Sequence, residues 1–428
     1  MEKYTLKCLE CGAEYSDDHF RLKCDGSHEP SFLRTEYRNK NLTLREDLPG
    51  MFKFMDFLPV SRCLDVDGAP VTYKSEELGK RLGLENLYII FNGYWPERNA
   101  MMKTASFKEL EAPSVLARIP ENHDSTIVVA SAGNTGRAFA GVCSSNNIPL
   151  LLVIPEESMD EIWSVEPFND CVKCITASGN SDYSDAITLA NMIVKLDGFF
   201  PEGGAANVAR REGMATTVLD AACVIGSIPD HYFQAVGSGT GGISAWESCC
   251  RLREDGRYGE TVMKLHLAQN HPFIPLTEAW NNGLDVFPEL DTEKAKREIA
   301  IIQAKVLSNR KPPYGVRGGV RDVLEESKGS MYSVTNEEMK ESMDLFEELE
   351  GCDIHPAAGV ALGALIQAKN MGRVSPEDIV ALNVTGGGES RLKSDRKVHY
   401  LEPFATMTDI EINGPDAEMK TASLLKAV

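Results

Sequence analysis

Short apolar runs alternate with amphipathic stretches through most of the chain. Runs typical of buried strands lie at residues 87–91, 126–130, 150–154, 171–176, 232–236, 263–268 and 379–384. Apolar positions spaced as on one face of a helix lie at 76–82, 137–145, 185–196, 243–252 and 356–368. Because strands that alternate with helices form parallel sheets covered on both faces, the pattern predicts an α/β fold with doubly wound sheets.

Three glycine-rich segments directly follow predicted strands. They are Ser131-Ala-Gly-Asn-Thr-Gly136, Gly237-Ser-Gly-Thr-Gly-Gly242 and Thr385-Gly-Gly-Gly388. Open parallel sheets bind ligands at the carboxyl ends of their strands. We therefore expect these segments to contribute to one ligand site.

The order of the elements predicts two α/β domains and two smaller segments. Residues 60–100 and 211–402 are expected to form the larger domain. Residues 101–210 are expected to form the smaller one, with the asparagine-containing segment. Residues 1–34 form a separate segment with paired cysteines, and residues 403–428 are predicted to be a polar tail packed on the surface.

Composition and charge exclude several classes of function. The 428 residues are 43% hydrophobic and 25% charged, as in ordinary globular proteins. A net charge of −20 argues against nucleic-acid binding, which requires a basic face. No apolar run approaches the roughly 20 residues of a membrane span, and the charged N-terminus lacks a secretory pattern. Eleven cysteines, an odd number, favour a reducing cytoplasm over a disulfide framework.

Lys108 lies in the segment Lys103-Thr-Ala-Ser-Phe-Lys-Glu109. Taken alone, a lysine in such a segment is most often a solvent-exposed surface charge. A lysine, an asparagine loop and a glycine loop of phosphate size, in this order, instead indicate pyridoxal 5′-phosphate (PLP) held as a Schiff base. Lys108 would hold the cofactor between turnovers and remove the substrate's Cα proton, so its pKa must fall well below about 10.4.

The glycine-rich segments offer groups that suit this cofactor. The Asn134 amide can bond its phenolic oxygen or cap a helix, and the two roles are compatible. Thr385 can place a hydroxyl against the pyridine nitrogen, which favours replacement over transamination, or it can be a simple turn residue. The 237–242 loop departs from G-x-G-x-x-G, so a phosphate nest suits it better than a dinucleotide. The expected phosphate-binding residues are Gly237, Ser238, Gly239, Thr240 and Gly241.

The N-terminal segment carries a candidate metal set. Cys8 and Cys11 are spaced so that both thiolates can face one zinc ion, and Cys24 with His28 could complete a tetrahedron. The Cys24-x3-His28 half is not the usual second Cys-x2-Cys pair. A zinc ribbon and a metal-free ribbon both stay open.

Together these motifs resemble the fold-type II PLP enzymes, which have the tryptophan synthase β fold, and in particular the threonine synthase branch. Ser106-Phe-Lys108 matches the core of its S-F-K-D-R run, Ser131-Ala-Gly-Asn-Thr135 its asparagine loop, and Thr385-Gly its nitrogen-binding turn. Asn207-x2-Arg210-Arg-Glu-Gly213 looks like its N-P-x-R-x-E-G segment, and its members also carry an N-terminal cysteine pair. The resemblance covers most of the chain.

Other positions depart from that branch. Glu109-Leu-Glu111 replaces its D-R, Met101-Met-Lys103 replaces its N-P-T, and Arg137 is added at a helix start. The chain is similar to the cysteate synthases of methanogenic archaea, a paralogous family. This resemblance implies a β-replacement in which O-phospho-L-serine and sulfite give L-cysteate and phosphate, on the route to coenzyme M.

Both exchanged groups in that reaction are anions, so an acidic chain must provide local cations. The residues expected to bind substrate are Lys103, Ser131, Thr135, Arg137, Arg317 and Lys393. Since most soluble oligomers are symmetric assemblies of one chain, a homo-oligomer is also expected.

Other functions stay open from the sequence. The nearest are a threonine synthase that uses O-phosphohomoserine and a cysteine-synthase-like enzyme that uses sulfide. A ligand-binding regulatory protein on the same fold is a third, but it would not need Lys108, Asn134 and Thr385 together. A nicotinamide oxidoreductase is more distant.

Overall fold

The computed structural model describes residues 2–181 and 183–425. Its strands are β1 (Tyr4–Cys8), β2 (Glu14–Tyr15), β3 (Leu33–Tyr37), β4 (Val71–Lys74), β5 (Asn86–Phe91), β6 (Tyr94–Trp95), β7 (Ala100–Met101), β8 (Thr126–Val129), β9 (Leu150–Pro155), β10 (Trp163–Ser164), β11 (Val172–Ser178), β12 (Phe199–Pro201), β13 (His231–Ala235), β14 (Lys264–Asn270), β15 (Ser330–Val334), β16 (Ile379–Val384), β17 (His399–Tyr400) and β18 (Ala405–Thr408). Its α-helices are α1 (Glu77–Leu82), α2 (Lys108–Arg118), α3 (Asn134–Ser145), α4 (Tyr183–Ile193), α5 (Val208–Ile225), α6 (Thr240–Asp255), α7 (Pro275–Asn281), α8 (Thr292–Ile301), α9 (Val320–Glu326), α10 (Asn336–Glu350), α11 (Pro356–Asn370), α12 (Glu389–Asp395), α13 (Asp409–Ile412) and α14 (Ala417–Leu424).

The larger sheet has six strands in the order β15-β14-β13-β16-β5-β4. Every neighbouring pair is parallel except β4 with β5, at one edge. Helix α11 packs on one face, and α5 with α6 packs on the other. Burial on both faces explains why the central strands read as continuous apolar runs.

The smaller sheet is fully parallel, in the order β12-β8-β9-β11-β18. Helices α2 and α3 cover one face, and α4 covers the other. The predicted α/β fold with two parallel sheets is confirmed. None of the described helices is both long enough and apolar enough to cross a membrane.

The C-terminal segment differs from the predicted surface tail. Its strand β18 completes the smaller sheet by pairing with β11, and Met407 and Ile412 are buried in the core beside α4. Strand β18 reads Ala-Thr-Met-Thr, so one apolar side chain between two threonines supplied little hydrophobic signal. The last residues, 426–428, lie outside the described part.

Helix α5 joins the two halves of the molecule, since it packs on both α2 and α6. Asn207 caps its start and accepts a hydrogen bond from the N–H of Ala209 (3.0 Å). Arg211 on this helix pairs with Glu247 of α6 (3.1 Å). Because α5 is buried on most sides, its apolar positions do not form a single face and show no clear helical period.

The N-terminal segment forms a three-stranded antiparallel sheet in the order β2-β1-β3. The sheet is attached to α5 through β3, where Arg211 donates to the carbonyl of Leu33 and Thr35 donates to Glu212. The segment therefore buttresses the helix that joins the two halves.

Candidate active site

Lys108 is the first residue of α2 and follows a tight turn. In that turn Ala105 has a φ of 52°, which is uncommon for a residue other than glycine. The N–H of Phe107 donates to the carbonyl of Thr385 (3.1 Å), and the N–H of Gly387 donates to the carbonyl of Ala105 (3.1 Å). The turn that precedes Lys108 (residues 103–107, the lysine turn) is therefore hydrogen-bonded through its backbone to the turn that follows β16.

Glu109 holds the lysine turn closed from inside the core. The residue is only 4% exposed. Its carboxylate accepts hydrogen bonds from the N–H of Lys103 (3.1 Å), the N–H of Thr104 (2.7 Å) and the Thr104 hydroxyl (2.8 Å). Three hydrogen bonds to one buried carboxylate fix the direction in which Lys108 leaves the turn.

Glu111 lies one helical turn beyond Lys108 and is fully buried. Its Oε2 is 3.0 Å from the Lys108 Nζ and 3.0 Å from the Arg210 Nε, and its Oε1 accepts from the Thr135 hydroxyl at 2.9 Å. Arg210 also donates to Glu202 at 2.8 Å. The lysine therefore belongs to a buried network of alternating charges.

The network shifts the protonation of its members. Burial lowers the pKa of Lys108, and the Glu111 carboxylate opposes this only in part. Burial raises the pKa of Glu202, whereas Arg210 and Lys108 outweigh burial at Glu111 and lower the pKa of that carboxyl. A lysine amine with a lowered pKa is suited to accept a proton near neutral pH.

The asparagine segment joins β8 to α3, with Asn134 as the first helical residue. Gly136 packs so closely that a Cβ there would lie 2.1 Å from the Ser131 carbonyl oxygen. The Asn134 Oδ1 accepts a hydrogen bond from the Arg137 Nη2 (2.7 Å), and the Ser131 hydroxyl donates to the carbonyl of Ala132 (3.3 Å). The first N–H groups of α3 have no partners within the helix, so this end can receive an anionic group.

The 237–242 loop joins β13 to the start of the 16-residue helix α6. Gly239 has a φ of 83°, and a Cβ there would lie 2.2 Å from Val320. A Cβ on Gly241 would lie 2.0 Å from the Gln234 amide nitrogen. A tight backbone loop at a helix N-terminus is the arrangement that binds phosphate groups.

The predicted cofactor-binding segments lie at adjoining strand ends. Phe233 of β13 pairs with Leu382 of β16, so the 237–242 loop and the buried Thr385 emerge side by side. Thr385 contacts the lysine turn, and Thr135 contacts the lysine network. The residues offer a phosphate nest, a hydroxyl, an amide and a buried amine, which together fit PLP.

Two of the four cationic residues that were expected to bind substrate, Lys103 and Arg317, lie at the surface. Lys103 is 3.0 Å from Glu166, and Arg317 is half exposed and 2.9 Å from Asp322. Within the described part, neither side chain contacts Lys108, Asn134 or Thr385. Their place in a substrate site stays a prediction.

The other two expected cations share the carboxylate of Glu389. Arg137 is buried at 3.6 Å from it, and Lys393 lies at 2.7 Å. Both cations lie over the ring of Trp163. Glu389 also meets His355 (3.1 Å), so these cations already have counter-charges.

Glu111, Glu202 and Arg210 were not among the site residues predicted from the sequence motifs. Arg210 stands in the segment 207–213 that carried part of the family resemblance. The charged residues next to it lie among small residues of a buried helix, and buried charged side chains are usually paired with opposite charges. Charged residues within a family-like segment of a buried helix were the sequence signal that could have indicated a buried charge network.

The four N-terminal metal candidates converge on one point. The donor atoms of Cys8, Cys11, Cys24 and His28 all lie within 4.8 Å of one another. The sulfurs of Cys11 and Cys24 are 3.6 Å apart, and the His28 Nε2 is 3.4 Å from the sulfur of Cys8. Tetrahedral zinc with Zn–S bonds of about 2.3 Å separates sulfurs by about 3.7 Å, so the set fits zinc.

The chain is similar to known PLP-dependent enzymes over most of its length. The family model described as "Pyridoxal-phosphate dependent enzyme" matches residues 71–386. The chain is 49% identical to a "Cysteate synthase" of Methanosarcina acetivorans, over 99% of this chain and 100% of the relative. It is 48% identical to a "Cysteate synthase" of Methanocella arvoryzae, over the full length of both chains.

Solved structures support the fold. Maize serine racemase superposes with a TM-score of 0.56 at 13% identity, over 76% of this chain and 93% of that chain. A PLP-dependent aspartate racemase superposes with a TM-score of 0.52 at 18% identity, over 74% and 89% respectively. At such identities the likeness concerns the fold alone. From the family match and the full-length relatives, the chain belongs to the pyridoxal-phosphate-dependent enzymes and, within them, to the cysteate synthase family.

Proposed function

We propose that the chain converts O-phospho-L-serine and sulfite into L-cysteate and phosphate, on the route to coenzyme M. The observation that carries this proposal is the similarity to cysteate synthases, which extends over essentially the whole of both chains. The buried Lys108 and its charged neighbours support a reaction that moves a proton and exchanges two anions.

Lys108 is the proton carrier in this proposal. Its Nζ takes the Cα proton, the Cα–H electron pair forms a Cα=Cβ bond, and phosphate leaves with the electrons of the Cβ–O bond. The sulfur lone pair of sulfite then forms the Cβ–S bond, and Lys108 returns the proton to Cα. When bound, PLP supplies the electron sink that stabilises negative charge at Cα.

The surroundings of Lys108 suit this role. Burial lowers the pKa of its amine, which favours the neutral form that takes the proton. Glu111, at 3.0 Å, stabilises the ammonium that forms. Thr385 would contact the pyridine nitrogen, and the 237–242 loop would hold the cofactor's phosphate.

Arg210 is our preferred cation for the leaving phosphate and the incoming sulfite. It lies 3.0 Å from the carboxylate that contacts Lys108, and its Nη2 is 3.5 Å from the hydroxyl of Thr135 in the asparagine segment. The Oε1 of Glu202, its second partner, is buried and has no hydrogen-bond partner among the described groups. Burial raises the pKa of this carboxyl, so Glu202 is a weaker counter-charge for Arg210 than Glu111, whose pKa is lowered.

A substrate panel tests the proposed reaction. We expect O-phosphoserine with sulfite to give cysteate and phosphate in equal amounts. We expect O-phosphohomoserine to be turned over at least roughly ten-fold less efficiently, since one extra methylene typically costs 10-fold or more in a fitted site. Products are measured by mass spectrometry and phosphate release. Threonine from O-phosphohomoserine as the main product would identify a threonine synthase, and cysteine from sulfide would identify a cysteine-synthase-like enzyme.

We also propose that Cys8, Cys11, Cys24 and His28 hold a structural zinc ion. A three-thiolate, one-imidazole set leaves no open coordination position, which is typical of a structural and not a catalytic zinc. The sheet that carries these residues contacts α5, and α5 carries Arg210. Zinc would therefore stabilise the site from a distance and take no part in the chemistry.

Cys24→Ser is expected to lower the zinc content from about one ion per chain to near zero. Loss of a structural metal typically removes several kcal/mol of stability, so the midpoint of thermal unfolding should also fall. Elemental analysis and thermal scans of the purified chain measure both effects. Cys63→Ser, a change outside the set, is the control. A wild-type chain purified without zinc, and insensitive to a chelator, would support the metal-free ribbon.

A further inference from the structure

Arg137 is a buried arginine placed between three segments of the site. It lies on the first turn of α3, and only 2% of its surface is exposed. Its Nη2 donates to the Asn134 Oδ1 (2.7 Å) and to the carbonyl of Thr104 in the lysine turn (3.0 Å). The same nitrogen is 3.6 Å from Glu389, which directly follows the Thr385-Gly-Gly-Gly388 turn.

The contact with Arg137 determines which way the Asn134 amide faces. A guanidinium group can only donate hydrogen bonds, so the amide atom that faces it must be the oxygen. The Asn134 Nδ2 is then directed away from Arg137, and among the described residues it has no hydrogen-bond partner. An amide fixed in this way presents a donor to the phenolic oxygen of the cofactor.

The charge of Arg137 is already matched by its surroundings, although its Nε is buried without a hydrogen-bond partner among the described groups. Its guanidinium lies over the Trp163 ring, 4.2 Å from the ring centroid, and its charge is met by Glu389. Glu389 keeps a pKa of about 2, since His355, Arg137 and Lys393 together outweigh the effect of burial. The carboxylate therefore stays ionised and paired with Arg137 at physiological pH.

We propose that Arg137 is a positioning residue that orients Asn134 toward the cofactor and ties the three segments together. The proposal rests on the PLP site proposed above, and it gives Arg137 a role different from the substrate contact expected from the sequence. Arg137 is one of the residues at which this chain departs from the threonine synthase pattern. Its effect reaches the reaction through Asn134.

The test compares Arg137→Met, Asn134→Ala and the double variant as full-length proteins. We expect each single variant to weaken PLP binding roughly ten-fold and to shift the visible absorption of the bound cofactor in the same direction. Because both changes remove one interaction, the double variant should also be weakened roughly ten-fold, and not a hundred-fold. Absorption titration of the cofactor-free protein with PLP provides both readouts.

Further variants separate positioning from folding and from substrate binding. Arg137→Lys keeps a charge for Glu389, folds more readily and should give an intermediate shift. Arg391→Met, a half-exposed arginine paired with Asp395, should change neither readout. Thermal unfolding of the cofactor-free variants reports any loss of stability.

Two outcomes would overturn the role of Arg137. One is wild-type absorption and PLP affinity in Arg137→Met, with only a raised KM for O-phosphoserine or sulfite, which would make Arg137 a substrate cation. The other is a hundred-fold loss in the double variant, which would show that the two residues act independently. A wild-type chain that takes up no PLP would instead overturn the cofactor site itself.

Discussion

Lys108→Ala is expected to lower the rate of cysteate formation by at least about 10³-fold. The variant loses both the amine that bonds the cofactor and the base that takes the Cα proton, and general base catalysis alone contributes roughly 10² to 10⁴. Its network partner Glu111 cannot substitute, because Arg210 remains 3.0 Å from that carboxylate and favours its ionised form, which makes it a weak base. Cysteate is measured under saturating PLP, O-phosphoserine and sulfite.

Lys340→Ala is the matched control for this change. Lys340 is an exposed lysine on α10, paired with Asp344 one turn along the same helix, and its loss should leave the rate unchanged. A small primary amine added to Lys108→Ala should restore part of the rate, since it can replace the missing base. Wild-type turnover in Lys108→Ala would remove this lysine from the mechanism.

Arg210→Met is expected to lower kcat/KM for O-phosphoserine by roughly 10² to 10³-fold. Removal of one charge from a buried ionic contact typically costs about 2–5 kcal/mol, or roughly 30- to 4,000-fold, and the expected loss lies within this range. The loss should be specific to substrates whose leaving group is already charged while still bonded to Cβ, as phosphate is. The variant is therefore compared with wild type on β-chloro-L-alanine, which releases chloride without needing a phosphate site.

The comparison of the two substrates separates binding from folding. If Arg210 holds the phosphate, the variant's loss on O-phosphoserine should exceed its loss on β-chloroalanine by at least about ten-fold, and Arg210→Lys should recover part of the difference. Equal losses on both substrates, with a lowered unfolding midpoint, would show that Arg210 only supports the network around Glu111. Glu111 would then be the residue to test next.

The sequence predicted the parts of the site that short motifs define. Lys108, Asn134, Thr385 and the 237–242 loop each stand at a strand end or helix start, where local residue types fix the backbone. A parallel sheet brings such positions to one edge, so the nearness of the 237–242 loop and Thr385, which both follow strands of the larger sheet, could be predicted from the βα alternation. Asn134 follows a strand of the smaller sheet, and its nearness to them could not. Gly136 illustrates the constraint, since a Cβ there would lie 2.1 Å from the backbone carbonyl oxygen of Ser131.

The sequence did not predict contacts made between distant helices. Arg210 and Glu111 lie on α5 and α2, about a hundred residues apart in the chain, and only the packing of the two helices brings them together. Nearness to a motif along the chain therefore does not place a cation in contact with Lys108. Lys103 is close to Lys108 along the chain, yet its side chain pairs with Glu166 at the surface.

The acidic residues after the lysine show the same limit. Glu109 and Glu111 were visible as departures from the threonine synthase pattern, but their spacing did not indicate separate roles. In the structure Glu109 closes the lysine turn, and Glu111 meets the lysine amine. Positions two residues apart on a helix point in different directions, so two similar side chains reach different partners.

The most direct measurement is a sequential absorption titration of the purified, PLP-loaded chain. Addition of O-phosphoserine should change the visible band of the bound cofactor and release one phosphate per site, and addition of sulfite should then restore the original band with formation of cysteate. This outcome would place proton removal, loss of phosphate and capture of sulfite at one site. A band that ignores O-phosphoserine, or that changes but is not restored by sulfite, would contradict the proposed β-replacement.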